Sequence, residues 1–371
     1  MGRETYTGDV AFELRGHLGI ITLNRPRTVN ALTQLMCECL LVQLRDWAVD
    51  DTVTQVLIRG AGDRGLCAGG DVSSLYQEMV ALQSQDGGEI LPVGTPGYAA
   101  DFTSEPFLAD EYALNQTIAE YPKPFIALMD GLVLGGGIGV SAHGSHRVVT
   151  ERTRAGMPET TIGFSPDVGG TWLLAQAPGR LGLHAGLTGA HLDAADAIAA
   201  GLADVLVPAE ELNDLTQALS TAPVEVVLPK FAVAAESSGL VEAREWIDQA
   251  YSAPTVEQVL ERLDELAPAH EQAGAAAQAL REKSPVSLKV AHRAILAAEQ
   301  LSLRAALEQE FTIAVHMLRS QDFREGIRAQ IIDKDREPRW SPARLQDVGE
   351  GLVQTYFTPV PGRRLSEVQS L

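Results

Sequence analysis

The chain has 371 residues, 45% of them hydrophobic, and carries a formal net charge of −20. That length allows one large or two modest domains with a sizeable core. The acidic balance excludes non-specific attraction to nucleic acid or to an anionic membrane. An anionic ligand needs local help from glycine amides, a helix N-terminus or a few placed cations. Cys37, Cys39 and Cys67 are the only cysteines. An odd, sparse count without CxxC spacing argues against a disulfide framework and a zinc site, and it fits a reducing cytoplasm. The N-terminal "MGRETYTGDVAFELRG" has no apolar signal core, and no run is long enough to span a membrane. The expectation is a soluble, unprocessed, cytoplasmic protein.

In chain order, "DVAFELRGHLGIITLNRP" alternates apolar and polar residues around a glycine turn and predicts a β-hairpin. "ALTQLMCECLLVQLRDWAVD" has helical spacing, with Asn30 available as N-cap. "TQVLIRG" predicts a short buried strand. The glycine-rich loop "GAGDRGLCAGGD" follows, and then a helix over "DVSSLYQEMVALQ". Ser84 to Asp101 is rich in Gly and Pro and predicts a loop. "PFLADEYALNQTIAEY" predicts a helix, "PFIALMDG" a strand and "GGIGVSAHG" the start of another helix. This β-then-α rhythm runs to about Val207 and implies a sheet with helical crossovers. Beyond Pro208 the segments "TVEQVLERLDELA", "PVSLKVAHRAILAAEQ", "SLRAALEQEFTIAVHML" and "QDFREGIRAQIID" all predict helices. The expected division is therefore a core over 8–208 and a mostly helical region over 209–371.

Gly135, Gly136, Gly137 and Gly139 fill four of five positions, and Glu159 and Asp167 lie just downstream. Glycine lets a backbone approach a ligand closely. Both glycine loops, "CAGGD" and "LGGGIG", fall at strand-to-helix transitions. Amides from two such loops, meeting at one point, would form an oxyanion hole. Two other readings stand beside this one. Gly137, Gly139 and Ala142 satisfy a dinucleotide-binding spacing, with Glu159 downstream for a ribose. Plain packing of a helix on a strand through small residues is the other.

"NRPRTVNALT", "GAGDRGLCAGGD", "PKPFIALMDGLVLGGGIG" and "MPETTIGFSPDVGGTW", in that order, resemble the crotonase (enoyl-CoA hydratase/isomerase) superfamily from about Gly8 to Pro208. "LADEYALNQ", "YSAPTVEQVLERL", "SPVSLKVAHRAI" and "QDFREGIRAQIIDKDREPRWSPARL" extend the resemblance over most of the chain, toward the branch of 3-hydroxyisobutyryl-CoA hydrolases. The resemblance implies an α/β fold, the ClpP/crotonase-like spiral of ββα turns, with a helical C-terminal region. It implies hydrolysis of a CoA thioester of valine breakdown. The substrate is an acyl-CoA and no metal or redox cofactor is needed. Neither nucleic acid nor membrane is a partner. A homo-oligomer, trimer or hexamer, is compatible with it.

The same resemblance assigns residues. Gly70 and Gly136 supply the oxyanion amides. Glu159 is the catalytic glutamate, acting as nucleophile or as general base on water. Asp167 is the second acidic residue, and it orients the substrate hydroxyl, positions water or donates a proton; its local alternative is the N-cap of the following helix. Glu111 is a third acidic position on the substrate side, against the alternative of a solvated helix face. Arg27 and the segment Leu66, Cys67, Ala68, Gly69, Gly70 and Asp71 match regions that hold CoA, with Arg27 facing a phosphate or, as its local alternative, solvated on its turn. Cys67 itself reads as packing. Lys289 and Arg293, one helical turn apart, are further candidates for CoA phosphates. His143 and His146 read as structural. Enoyl-CoA hydratases carry a second glutamate two residues after the triple glycine, and here that position is Gly139. The motif therefore points to hydrolysis over hydration. A hydratase or isomerase is the nearest rival, and a crotonase-fold binding protein without catalysis is the other.

Overall fold

The computed structural model describes residues 4–6, 8–85 and 104–365. The chain forms two compact units. One comprises Met1–Gly70, Asp110–Gly156 and His191–Glu242; the other comprises Asp71–Ala109, Met157–Ala190 and Ala243–Leu371.

The first unit holds all ten strands among the described residues. These are β1 (Glu4–Tyr6), β2 (Val10–Arg15), β3 (Leu18–Leu23), β4 (Gln55–Gly60), β5 (Gly65–Cys67), β6 (Phe125–Met129), β7 (Leu132–Leu134), β8 (His146–Val149), β9 (Arg154–Gly156) and β10 (Val205–Leu206). The expected hairpin is β2–β3, antiparallel, with Arg15 opposite Leu18 across a two-residue turn. The larger sheet has the order β1-β2-β3-β4-β6-β8-β10, and β5-β7-β9 form a smaller one. From β3 onward every pairing is parallel. Each successive strand pair (β4 and β5, β6 and β7, β8 and β9) gives its first strand to the large sheet and its second to the small one. That alternation is the spiral of ββα turns.

The apolar runs of β4 and β6 are buried along their length, as parallel strands covered on both faces require. On one face Leu57, Ile126, Leu128 and Val148 pack with Leu215, Leu219, Val224 and Val227. Each such side chain contributes roughly 1.5–3 kcal/mol relative to exposure. Helix α1 (Gln34–Val49) sets Trp47 edge-on to Phe12, with ring centroids 6.0 Å apart.

Asn30 is not the cap of α1. The cap is Thr33, whose Oγ1 accepts from the Met36 amide at 3.3 Å. Helices α2 (Val72–Gln85) and α3 (Ser104–Ala119) follow as expected. Beyond Gln85 the loop expected over 84–101 lies outside the described residues. The helix expected at "GGIGVSAHG" is a single turn, α4 (Gly136–Gly139), because glycine is a poor helix former.

The second unit is helical. Its elements include α5 (Gly170–Ala175) and the helices Val256–Leu266, Pro285–Ala298, Leu303–Met317 and Gln321–Ile327. The last four start at Thr255, Ser284, Ser302 and Ser320, each of which accepts a backbone amide through its hydroxyl. Glu105 is buried between Arg319, at 2.6 Å, and Arg363. The compact units interleave along the chain and do not follow a division at Pro208.

Candidate active site

In the first unit the "CAGG" loop is pinned from three sides. Asn30 is fully buried, with a left-handed backbone that Asn tolerates. Its Nδ2 donates to the carbonyls of Ala61, Gly65 and Leu66 at 3.0–3.1 Å, and its Oδ1 accepts from the Arg25 amide at 2.9 Å. The Leu32 amide donates to Gly69 O and the Ala68 amide to Val29 O, both at 2.9 Å. Gly69 adopts φ +104, where a side chain is strained. Among the described residues, the Gly70 and Gly136 amides donate to no backbone carbonyl.

These two glycines come together. A Cβ built on Gly136 would collide with Glu111 Oε1 and would lie 3.3 Å from the Gly70 nitrogen. A side chain at Gly136 would therefore occupy the space beside the Gly70 amide. Glu111 is 3% exposed, so the solvated-face alternative does not hold. Its neighbour Asp110 is also buried and accepts from Gln34 Nε2 at 3.2 Å.

Cys67 belongs to this loop but carries no reactive thiolate. Burial pushes its thiol up to about 12; the Glu111 charge adds to the rise, and backbone hydrogen bonds from Gly69 and Leu32 oppose it. Cys37 is likewise raised, by burial first and then by Glu111 and Asp110. Of the residues matched to CoA binding, Leu66 and Gly69 are buried, whereas Ala68, Gly70 and Asp71 are half-buried. Arg27 sits exposed on the turn Pro26–Thr28, which Arg64 braces through Pro26 O at 2.5 Å. His143 is buried, and His146 Nδ1 lies 2.9 Å from Ser145 Oγ.

In the second unit, Glu159 opens the one-turn helix Glu159–Ile162, which ends at Gly163 in the left-handed region. Its carbonyl accepts from Phe164 at 3.0 Å, and the Phe164 ring meets Phe323 at 4.5 Å between centroids. Thr161 is held by Lys283 Nζ at 2.8 Å. Glu159 is 7% exposed and Asp167 8%, so neither is a surface carboxylate.

Asp167 is not the N-cap of α5, which has Gly169 at that position and no side-chain cap of its own. Its carbonyl instead accepts from Gly170 at 2.6 Å, closing a tight turn. The amides on either side of Gly170, those of Gly169 and Thr171, are taken by Glu310, a residue that no motif in the sequence singles out. Glu310 Oε2 accepts from Gly169 N at 2.6 Å; Oε1 accepts from Thr171 N at 2.9 Å and from Thr171 Oγ1 at 2.5 Å. Burial pushes the Glu310 carboxyl up to about 8, with the hydrogen bonds from Thr171 and Gly169 opposing and the Asp167 charge adding to the rise.

A signal for Glu310 exists in the sequence: a glutamate lying in the buried stripe Ala306, Leu307, Glu310, Phe311 and Ala314. Lys289 and Arg293 are already engaged. Lys289 pairs with Glu257 at 2.5 Å, and Arg293 with Glu350 at 2.5 Å and with the Phe357 ring.

The sheet topology and the paired glycine amides define a crotonase-type protein. The chain belongs to the enoyl-CoA hydratase/isomerase family, whose model matches residues 18–357. It is 36% identical to the mitochondrial 3-hydroxyisobutyryl-CoA hydrolase of Danio rerio, over 96% of this chain and 91% of that protein. It is 35% identical to the Homo sapiens protein of the same name, over 94% and 88%. Among solved structures, it resembles a carnitinyl-CoA dehydratase from Mycobacterium thermoresistibile at 43% identity and TM-score 0.87, covering 96% of this chain and 98% of that one. An enoyl-CoA hydratase from Rhodobacter sphaeroides 2.4.1 matches at 37% and 0.86, covering 96% and 99%. The hydrolases are named mitochondrial and lend no support to the cytoplasmic compartment expected from the cysteines. Among the described residues, no helix is long and apolar enough to cross a membrane.

Proposed function

We propose that this protein hydrolyses an acyl-CoA thioester, with 3-hydroxyisobutyryl-CoA as its substrate. The observation that carries the reading is the pair of amides, Gly70 and Gly136, that donate to no backbone carbonyl among the described residues and lie beside the buried Glu111 carboxyl. Amides so placed stabilise a carbonyl oxygen as it gains negative charge, by about 3–4 kcal/mol for one donor. Glu159 then acts by one of two routes. Its carboxylate adds to the carbonyl carbon, the C–S bond breaks, the CoA thiolate leaves to be protonated, and water cleaves the mixed anhydride. Alternatively it takes a proton from the water that attacks. Asp167 and Glu111 bind the polar acyl group, and Arg27 meets a CoA phosphate beside the segment Leu66 to Asp71. The chemistry calls for no metal or redox cofactor. A trimer or hexamer remains part of the proposal, to be read by light scattering.

Hydration or dehydration of an acyl-CoA is the second reading, favoured by the names of the two solved structures. Gly139 weighs against it, because a second carboxylate to activate water is missing from α4. A paired assay separates the two. One arm follows thiol release from 3-hydroxyisobutyryl-CoA, and the other follows loss of the enoyl chromophore of crotonyl-CoA. Rapid thiol release with negligible hydration is expected. Rapid hydration without thiol release overturns the hydrolase reading.

A further inference from the structure

We infer that Glu310 is a positioning residue for Asp167, its buried carboxyl fixing the turn that carries the Asp167 side chain. The inference rests on the reading of Asp167 as a substrate-side carboxylate. The turn has an unusual backbone. Val168 and Gly169 follow one another in the left-handed region, at φ 54 and 78. A β-branched residue rarely adopts that conformation, and such strain persists only where the surroundings over-determine it. One carboxyl group from a distant helix is part of those surroundings. Glu310 accepts from Gly169 N, Thr171 N and Thr171 Oγ1 across 141 and 139 residues of chain.

The local sequence offers a cheaper way to cap α5. An aspartate just before a helix commonly turns its own carboxylate onto the first amides. Here the N-cap position is Gly169, and the Gly169 and Thr171 amides find their acceptor on another helix. The consequence is that Glu310 holds the Gly169 and Thr171 amides on one side of the turn, while the Asp167 carbonyl accepts from Gly170 at 2.6 Å on the other. Burying Glu310 completely next to another carboxylate is unfavourable for stability. An apolar residue on helix Leu303–Met317 would avoid that cost, but it would leave the turn amides without an acceptor.

The test uses the full chain, wild type, Glu310→Gln, Glu310→Ala, Asp167→Asn and the double variant Glu310→Gln/Asp167→Asn. Glutamine keeps the volume and one acceptor oxygen, so it stands in if the alanine variant does not fold. Thiol release, the KM of the acyl-CoA, free-CoA binding and thermal unfolding are measured on each. In Glu310→Gln, kcat is expected to fall about 10-fold to 100-fold, as for a misplaced catalytic group, while free-CoA affinity stays within about twofold. The double variant is expected to be no slower than Asp167→Asn alone, because one residue acts through the other. A folded Glu310→Gln with wild-type kcat overturns the inference, and so does a strictly additive double variant.

One readout is independent of turnover. The 13C resonance of the Asp167 carboxyl is expected to move in Glu310→Gln, and an unmoved resonance overturns the positioning role. If the wild-type protein releases no thiol, the proposed function fails, and the carboxyl resonance still decides this inference.

Discussion

Gly136 and the Glu111 carboxylate lie against each other with no room for a side chain between them, and the Gly70 amide borders the same space. The relationship links a helix, α3, to both glycine loops of the first unit. It makes Gly136→Ala a sharp test. The methyl group must displace Glu111 or the Gly70 loop, and either shift misaims a donor. Turnover should fall by about 10²-fold or more, with a smaller effect on free-CoA binding. Steady-state kinetics beside CoA titration calorimetry check this; unchanged kcat would show that the two amides do not act on the reacting oxygen.

Glu159→Gln keeps the shape of the side chain and removes its charge and nucleophilicity. Loss of thiol release by about 10³-fold or more is expected on either chemical route. Binding of free CoA should be nearly unaffected. A fully active Glu159→Gln protein would remove this residue from the mechanism.

Much of this was legible in the sequence, and the exceptions have physical reasons. The hairpin, the parallel strands and the long C-terminal helices are local patterns of period and capping. So are the two glycine loops, which stand at the ends of β5 and β7 as their spacing implies. The strands β7 and β9 have three residues each, too few to show a period. Asn30 and Glu310 escape for a different reason. Their partners are distant in the chain, 31 to 36 residues for the carbonyls that Asn30 holds and 139 to 141 for the amides that donate to Glu310. Local sequence offers the nearest suitable residue for each cap, Asn30 for α1 and, as the alternative to a substrate-side role, Asp167 for α5. Instead Asn30 holds three loop carbonyls, and the amides at the start of α5 find their acceptor in Glu310.

Asn30→Ala removes an acceptor and the donor shared by three carbonyls in a fully buried place. Leaving such groups unsatisfied costs about 1–3 kcal/mol, so the urea midpoint should fall with an unchanged m-value. The Gly70 amide depends on this loop, so activity per folded molecule should fall as well. A variant with normal stability would show that Asn30 does not anchor the loop.

Cys67 lies in the same loop with its thiol near 12. At pH 8 only roughly one molecule in 10⁴ then holds a thiolate there. Iodoacetamide should leave Cys67 unmodified in the folded protein while labelling it readily in denaturant. Cys67→Ser should retain thiol release within about threefold. Rapid alkylation of native Cys67 with parallel loss of activity would restore the thiol as a candidate nucleophile.

The Glu310 carboxyl gives stability a dependence on pH with an unusual direction. Its ordinary value is 4.5 and its folded value is about 8. Between those limits the folded protein keeps a proton that the unfolded chain has released. The contribution of this group is therefore greatest below about pH 4.5, declines as pH rises, and is lost above about 8. Most surface carboxylates do the reverse, because their partners favour the charged form. Comparing urea unfolding at pH 6 and pH 8 should show wild type losing roughly 1–3 kcal/mol across that interval from this group. Glu310→Gln has no proton to lose and should show a flatter profile. Identical slopes in the two proteins would mean that the Gly169 and Thr171 hydrogen bonds hold Glu310 ionised throughout.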